Sequence, residues 1–136
     1  MPLLLNRMGM MGIQWDELPS PMRSAIDKEC LRCINNMIPK GIAGTLRGLS
    51  QMNCHWSSLS NEFRHAINES IASQFDRNEL SPENDGFAIA STLYSLGKME
   101  ATIDDLSTAT KQTLIDDIIL CCNNFNNIQL QDVIYG

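Results

Sequence analysis

Apolar residues in this chain recur three and four positions apart over helix-length stretches, the spacing that gathers side chains onto one face of an α-helix. Ile42, Leu46, Leu49 and Met52 form one such stripe, and Ile89, Leu93, Leu96 and Met99 form another. Strict alternation of apolar and polar residues, the mark of a half-buried strand, is nearly absent. The pattern predicts an all-α protein.

The stripes are copies of one another. Leu5, Met8, Met11, Trp15 and Leu18 align without gaps on Leu46, Leu49, Met52, Trp56 and Leu59, an offset of 41 residues. They align again on Leu93, Leu96, Met99, Ile103 and Leu106, a further offset of 47. The difference of six residues is assigned to the polar stretch Asn78 to Gly86. Beyond the third unit the offset returns to 41, which sets Ile128, Leu130, Ile134 and Tyr135 on Phe87, Ile89, Leu93 and Tyr94. The expected organisation is one repeat array over residues 1–136: repeat 1 at about 1–37, repeat 2 at 38–78, an insertion at 79–86, repeat 3 at 87–125, and the start of a fourth repeat at 126–136.

Each unit reads as two helices. A glycine or small polar residue breaks the first stripe, and the side chain at Trp15, Trp56 or Ile103 is expected to plug the turn. The second helix then begins at Ser20, Asn61 and Thr108, aligned residues whose side-chain oxygens suit an N-cap. Its stripe runs Ala25, Ala66 and Thr113, then Ile26, Ile67 and Leu114, then Cys30, Ile71 and Ile118. One helix pair cannot bury its own apolar face, so repeated pairs stack. The expected fold is a right-handed α-solenoid of stacked helix-turn-helix repeats with a period of about 41 residues. The apolar Leu3-Leu4-Leu5 and Val133-Ile134-Tyr135, where a terminal unit would carry polar residues, further predict an array that continues at both ends.

Charge narrows the partner. Residues 1–40 carry five basic and four acidic groups, 41–80 three and four, and 81–136 two and eight, giving +1, −1 and −6. A net charge of −6 opposes general binding to phosphate backbones, where Lys and Arg supply the attraction. No apolar run reaches the roughly 20 residues that a bilayer span requires, and Leu3-Leu4-Leu5 is too short for a signal peptide. An odd count of five cysteines in apolar surroundings points to reduced thiols and a cytoplasmic setting.

Candidate chemistry is sparse. Cys30-Leu-Arg-Cys33 with Cys54-His55 supplies four zinc-type ligands on paper, but Cys30 aligns with Ile71 and Ile118, a core position that a thiol fills as a small apolar side chain. His55 and His65 lack an evident nucleophile and carboxylate, and Asp104-Asp105 and Asp116-Asp117 read as a helix-start pair and a solvated face. No glycine loop suited to phosphate occurs. The reading is non-enzymatic, with no cofactor, no metal and no small-molecule substrate.

Function in stacked helix pairs lies on residues off the core stripe. On the first helices these are Asn6, Arg47 and Tyr94, followed one turn later by Met10, Gln51 and Lys98. Positions four apart share a helix face, so the six make a row across the array. A protein partner is expected on this row, with Tyr94 and Arg47 as anchors, because aromatic and arginine side chains commonly dominate interfaces.

The segment Ala90-Ser-Thr-Leu93-Tyr94-Ser-Leu96-Gly97-Lys98-Met99 resembles the first-helix signature of octotricopeptide and heptatricopeptide-type repeats. The turn from Trp15 to Leu18 is similar to a Trp-x-x-Leu turn in helical repeats of large proteins from intracellular bacteria, which implies the host cytosol for a secreted protein of that kind. The resemblance spans nearly the whole chain, and its third unit carries the full signature. It implies single-stranded RNA as the alternative ligand, with Tyr94 stacking on a base and Lys98 and Arg47 touching phosphate.

Overall fold

The computed structural model describes residues 2–75 and 82–121, and every regular element within them is helical. Six α-helices follow in order: α1 (Pro2–Met10), α2 (Ser20–Ile34), α3 (Pro39–Gln51), α4 (Asn61–Gln74), α5 (Pro82–Lys98) and α6 (Thr108–Cys121). Short 3₁₀ turns at Trp15–Glu17, Trp56–Ser58 and Ile103–Asp105 join α1 to α2, α3 to α4 and α5 to α6. The ends of α1, α3 and α5 and the starts of α2, α4 and α6 both step by 41 and then 47 residues, matching the sequence offsets.

Each first helix stops by the same device. Gly12, Asn53 and Glu100, at one aligned position, have φ of 80°, 55° and 63°. Their amides donate to the carbonyls of Gly9, Ser50 and Gly97, and the amides of the next residues, Ile13, Cys54 and Ala101, reach back to Met8, Leu49 and Leu96 at 3.0–3.1 Å. This pair of bonds is a Schellman stop. Glycine enters the left-handed region freely, whereas a side chain there costs about 1–2 kcal/mol.

The second helices are capped one residue earlier than expected. Ser20, Asn61 and Thr108 are already helical. The side-chain oxygens of Ser60 and Ser107 accept from the amides of Phe63 and Thr110, both at 3.1 Å, because an N-cap side chain reaches the third amide onward. Pro19 precedes α2 and provides no such bond.

The helices lie in two layers. In one layer α1 packs on α3 and α3 on α5; in the other α2 packs on α4 and α4 on α6. Ile42, Leu46, Leu49 and Met52 of the first layer, with Phe63, Ile67 and Ile71 of the second, lie in the core between them. Gly48 lets α1 and α3 approach closely, since a Cβ there would stand 2.6 Å from Leu5 Cβ and 2.9 Å from the Asn6 amide.

Polar bonds tie each unit to the next at repeated positions. The Trp15 amide donates to the Met52 carbonyl at 2.7 Å, and the Trp56 amide to the Met99 carbonyl at 2.8 Å. The Asp27 carboxylate accepts from the amide and hydroxyl of Ser60 at 2.9 and 2.7 Å. Asn68, aligned with Asp27, accepts from the Ser107 amide at 2.8 Å, while its backbone carbonyl accepts from Thr110 Oγ1 at 2.8 Å. Thus a residue in the middle of α2 orders the start of α4, and the aligned residue of α4 orders the start of α6.

The same neighbours explain which expected core residues are exposed. Trp15 and Trp56 are 2% and 4% accessible, as their role as turn plugs requires, but Ile103 is 71% accessible. Met11 is 76% accessible, although the aligned Met52 and Met99 are fully buried. Ala25 is exposed too, and Ile115 and Ile119 stand out from α6. Positions of the Trp15 type face the following unit and those of the Met52 type the preceding one. Among the described residues, the third unit has no follower and the first no predecessor.

Two further expectations change. Part of the stretch assigned to an insertion is helical: α5 starts at Pro82, so it runs 17 residues against 13 in α3. Asp117 is buried rather than solvated, at the position aligned with Ser70, which also is buried. The beginning of the fourth repeat, 126–136, lies outside the described residues.

Candidate partner-binding face

Because α1, α3 and α5 share one layer, the offset that aligns their sequences also aligns their outward faces. Asn6 and Met10 stand on α1, Arg47 and Gln51 on α3, and Tyr94 and Lys98 on α5, a row crossing the layer. Met10, Arg47, Tyr94 and Lys98 are exposed, and Asn6 and Gln51 are half-buried. Asn6 Nδ2 lies 3.8 Å from Met10 Sδ on the same helix face.

Two grooves meet at Arg47. One, of about 340 Å³, is lined by Leu3, Asn6, Gly44 and Arg47 between α1 and α3. The other, of about 360 Å³, lies between α3 and α5 and is lined by Arg47, Ser50, Gln51, Phe87, Ser91, Tyr94 and Lys98. A smaller recess of about 220 Å³ continues the second groove past Phe87 to Lys40. Five of the six expected row residues therefore line this pair of grooves; Met10 lines neither and projects into solvent.

Phe87, Ser91, Ser50 and Lys40 also line the groove system and are absent from the row expected from sequence. Phe87 lies seven residues, or two helical turns, before Tyr94 and so shares its face; that spacing was the available signal. It was obscured because Phe87 also falls on an apolar aligned position. Sequence pattern alone does not separate a core aromatic from one at a groove rim.

A larger recess of about 580 Å³ lies on the other layer, between α2 and α4, with Arg23, Asp27, Lys28 and Glu62 among its walls. Its central carboxylate, Asp27, already holds Ser60. That recess is explained by the contact between units.

The residues considered for chemistry are dispersed. Cys30 and Cys54 are buried, and burial pushes both thiols up to about 12, away from the thiolate that binds metal or attacks an electrophile. No group of three His, Cys, Asp or Glu side chains among the described residues has the spacing to hold a metal ion. His55 and His65 do have carboxylate neighbours: His55 Nδ1 is 3.1 Å from Glu100, a pairing the sequence did not disclose, and His65 Nε2 is 3.0 Å from Glu69, four residues on along the same helix. Both pairs are exposed, and no hydroxyl or thiol bonds either ring among the described residues. No helix among the described residues is long and apolar enough to cross a membrane.

By fold, the class is an all-α protein of two helical layers with an open face crossed by Arg47. Comparison with models of known protein families, with curated proteins and with solved structures finds no match for this chain.

Proposed function

We propose that this chain is part of a longer, right-handed α-solenoid that serves as a non-catalytic scaffold, holding a protein partner on the face formed by α1, α3 and α5. The observation that carries this reading is the meeting of two open grooves at Arg47, with the exposed rings of Phe87 and Tyr94 beside it. Large rigid side chains next to a guanidinium that makes no ion pair among the described residues are the composition of interface anchors. The exposed apolar side chains of Ile103, Ile115 and Ile119 support further units stacked beyond the third.

A second reading, single-stranded RNA on the same face, is favoured by Tyr94 lining one groove with both Arg47 and Lys98. It requires those cations to overcome a chain of net charge −6. Affinity capture with wild-type chain and with Tyr94→Ala, paired with titration of unstructured RNA at near-physiological salt, separates the two. The scaffold reading expects a protein retained by wild type and lost with Tyr94→Ala, and only weak RNA binding. Sub-micromolar, salt-sensitive RNA binding that depends on Arg47 and Lys98 would replace it.

A further inference from the structure

Resting on the reading of this face as a protein-binding surface, we propose that the groove between α3 and α5 takes an extended acidic segment of the partner. One apolar or aromatic side chain of that segment lies between Phe87 and Tyr94, and its carboxylates meet Arg47 and Lys98.

The first reason is where the charge lies. The chain carries 16 acidic and 10 basic residues, yet α1 and α3 contain no acidic residue and contribute Arg7, Lys40 and Arg47, while α5 ends on Lys98. Among the described residues, the lining of the groove, of its continuation to Lys40 and of the adjoining groove on α1 includes three cations and no carboxylate. Most acidic groups lie elsewhere, on the second helices and in the turns at Asp16, Glu17, Glu100, Asp104 and Asp105; α5 itself opens with Glu83 and Asp85, more than three helical turns before Lys98. An acidic molecule therefore carries a positively charged face that none of its own described carboxylates neutralises.

Pairing reinforces the point. On α2, Arg32 is bonded to Glu29, and both histidines pair with glutamates. Lys40, Arg47 and Lys98 make no ion pair among the described residues, so their charge is available to a ligand.

Shape supplies the apolar component. Phe87 and Tyr94 are 51% and 46% accessible and lie two turns apart on α5, with nearly buried Ser91 between them and buried Ser50 opposite on α3. Small residues on the floor between bulky walls make a trough for a side chain, and rings exposed to this extent gain by being covered. Phe87 to Lys98 spans roughly 16 Å along α5 at about 1.5 Å per residue, and about eight extended residues, reaching roughly 26 Å, cover that length with a margin at each end.

Magnitude favours peptide over nucleic acid. Neutralising about three phosphates gives a salt slope near 2–3, a weak electrostatic contribution compared with the six to ten contacts of strong binders. An acidic peptide needs only two or three well-placed charges, because its apolar anchor adds affinity and the charges add specificity and association rate.

The test is selection of a displayed library of random peptides, about eight residues long, on the full chain, followed by affinity measurement of the enriched peptides. The result expected is enrichment of Asp and Glu around one aromatic or large aliphatic residue. Affinity should fall at least about tenfold with Arg47→Glu plus Lys98→Glu, and similarly with Tyr94→Ala. It should change little with Arg32→Glu on the opposite layer. Arg47→Gln plus Lys98→Gln, checked for helicity, guards against a misfolded charge reversal and should give a smaller loss. Neutral or basic peptides that still depend on Tyr94 would overturn the acidic ligand while leaving the binding face intact. No enrichment, or peptides indifferent to every groove substitution, would overturn both. Tight binding of an oligouridine probe through Arg47 and Lys98 would overturn both in favour of RNA.

Discussion

Trp56 and Ile103 occupy one repeat position in two opposite environments, which makes the pair a direct test of the unit-to-unit packing. Trp56 is 4% accessible and its amide donates to the Met99 carbonyl of the next unit; Ile103 has no described unit beyond it and is 71% accessible. Removing a buried indole withdraws about 150–250 Å² of contact, worth roughly 4–6 kcal/mol at about 25 cal/mol per Å² as an upper bound. Large-to-small substitutions of buried aromatics cost about 3–5 kcal/mol, and that is the expected loss for Trp56→Ala. The backbone bond to Met99 survives the substitution, so the loss reports packing. Ile103→Ala should stay within about 0.5 kcal/mol of wild type, as exposed substitutions do. For a domain of this size each kcal/mol moves Tm by roughly 3–5 °C, so Trp56→Ala should melt about 9–25 °C lower. Urea denaturation followed by far-UV circular dichroism gives both free energies on one scale. Similar losses for the two variants, or a Trp56→Ala chain within 1 kcal/mol of wild type, would refute the reasoning.

Three other outcomes follow from particular contacts. Gly48→Ala pits a helix-propensity gain of about 1 kcal/mol against overpacking of about 1–3 kcal/mol; since the added Cβ meets the backbone of α1 as well as Leu5 Cβ, a net loss is expected, and a stabilised variant in urea titration would show that α1 can move aside. Asp27→Ala removes the acceptor that holds Ser60 and should cost about 1.5–3 kcal/mol, whereas Asp27→Asn should cost less, because Asn68 performs the equivalent bond; equal losses would remove that equivalence. Burial favours the neutral Cys54 thiol and raises its pKa from 9.0 to about 12, so its contribution is present below 9.0 and lost as pH rises toward about 12. Urea midpoints of wild type should therefore fall more steeply above about pH 9 than those of Cys54→Val, and parallel profiles would contradict the burial of this thiol.

The sequence by itself determined the helical class, the two helices of each unit and the offsets of 41 and 47, because stripes and breaks are properties of neighbouring residues. The row through Asn6, Arg47 and Tyr94 was legible for the same reason: helices of one repeat present aligned residues alike. Local pattern was weaker where two conformations suit the same residues. The true caps Ser60 and Ser107 sit one position before equally plausible Asn61 and Thr108, and Glu100 takes the left-handed turn position that Gly12 and Asn53 fill more readily. Tertiary structure alone decided what each position faces. Asp27 reads as an ordinary helical charge until α4 brings Ser60 to it, Phe87 as a core aromatic until α3 leaves a groove beside it, and Ile103 as a buried plug until the next unit is seen to be what buries its counterparts. Periodicity fixes which side of a helix is apolar, but burial and bonding depend on the neighbour that arrives there, and in stacked units that neighbour comes from the adjacent repeat.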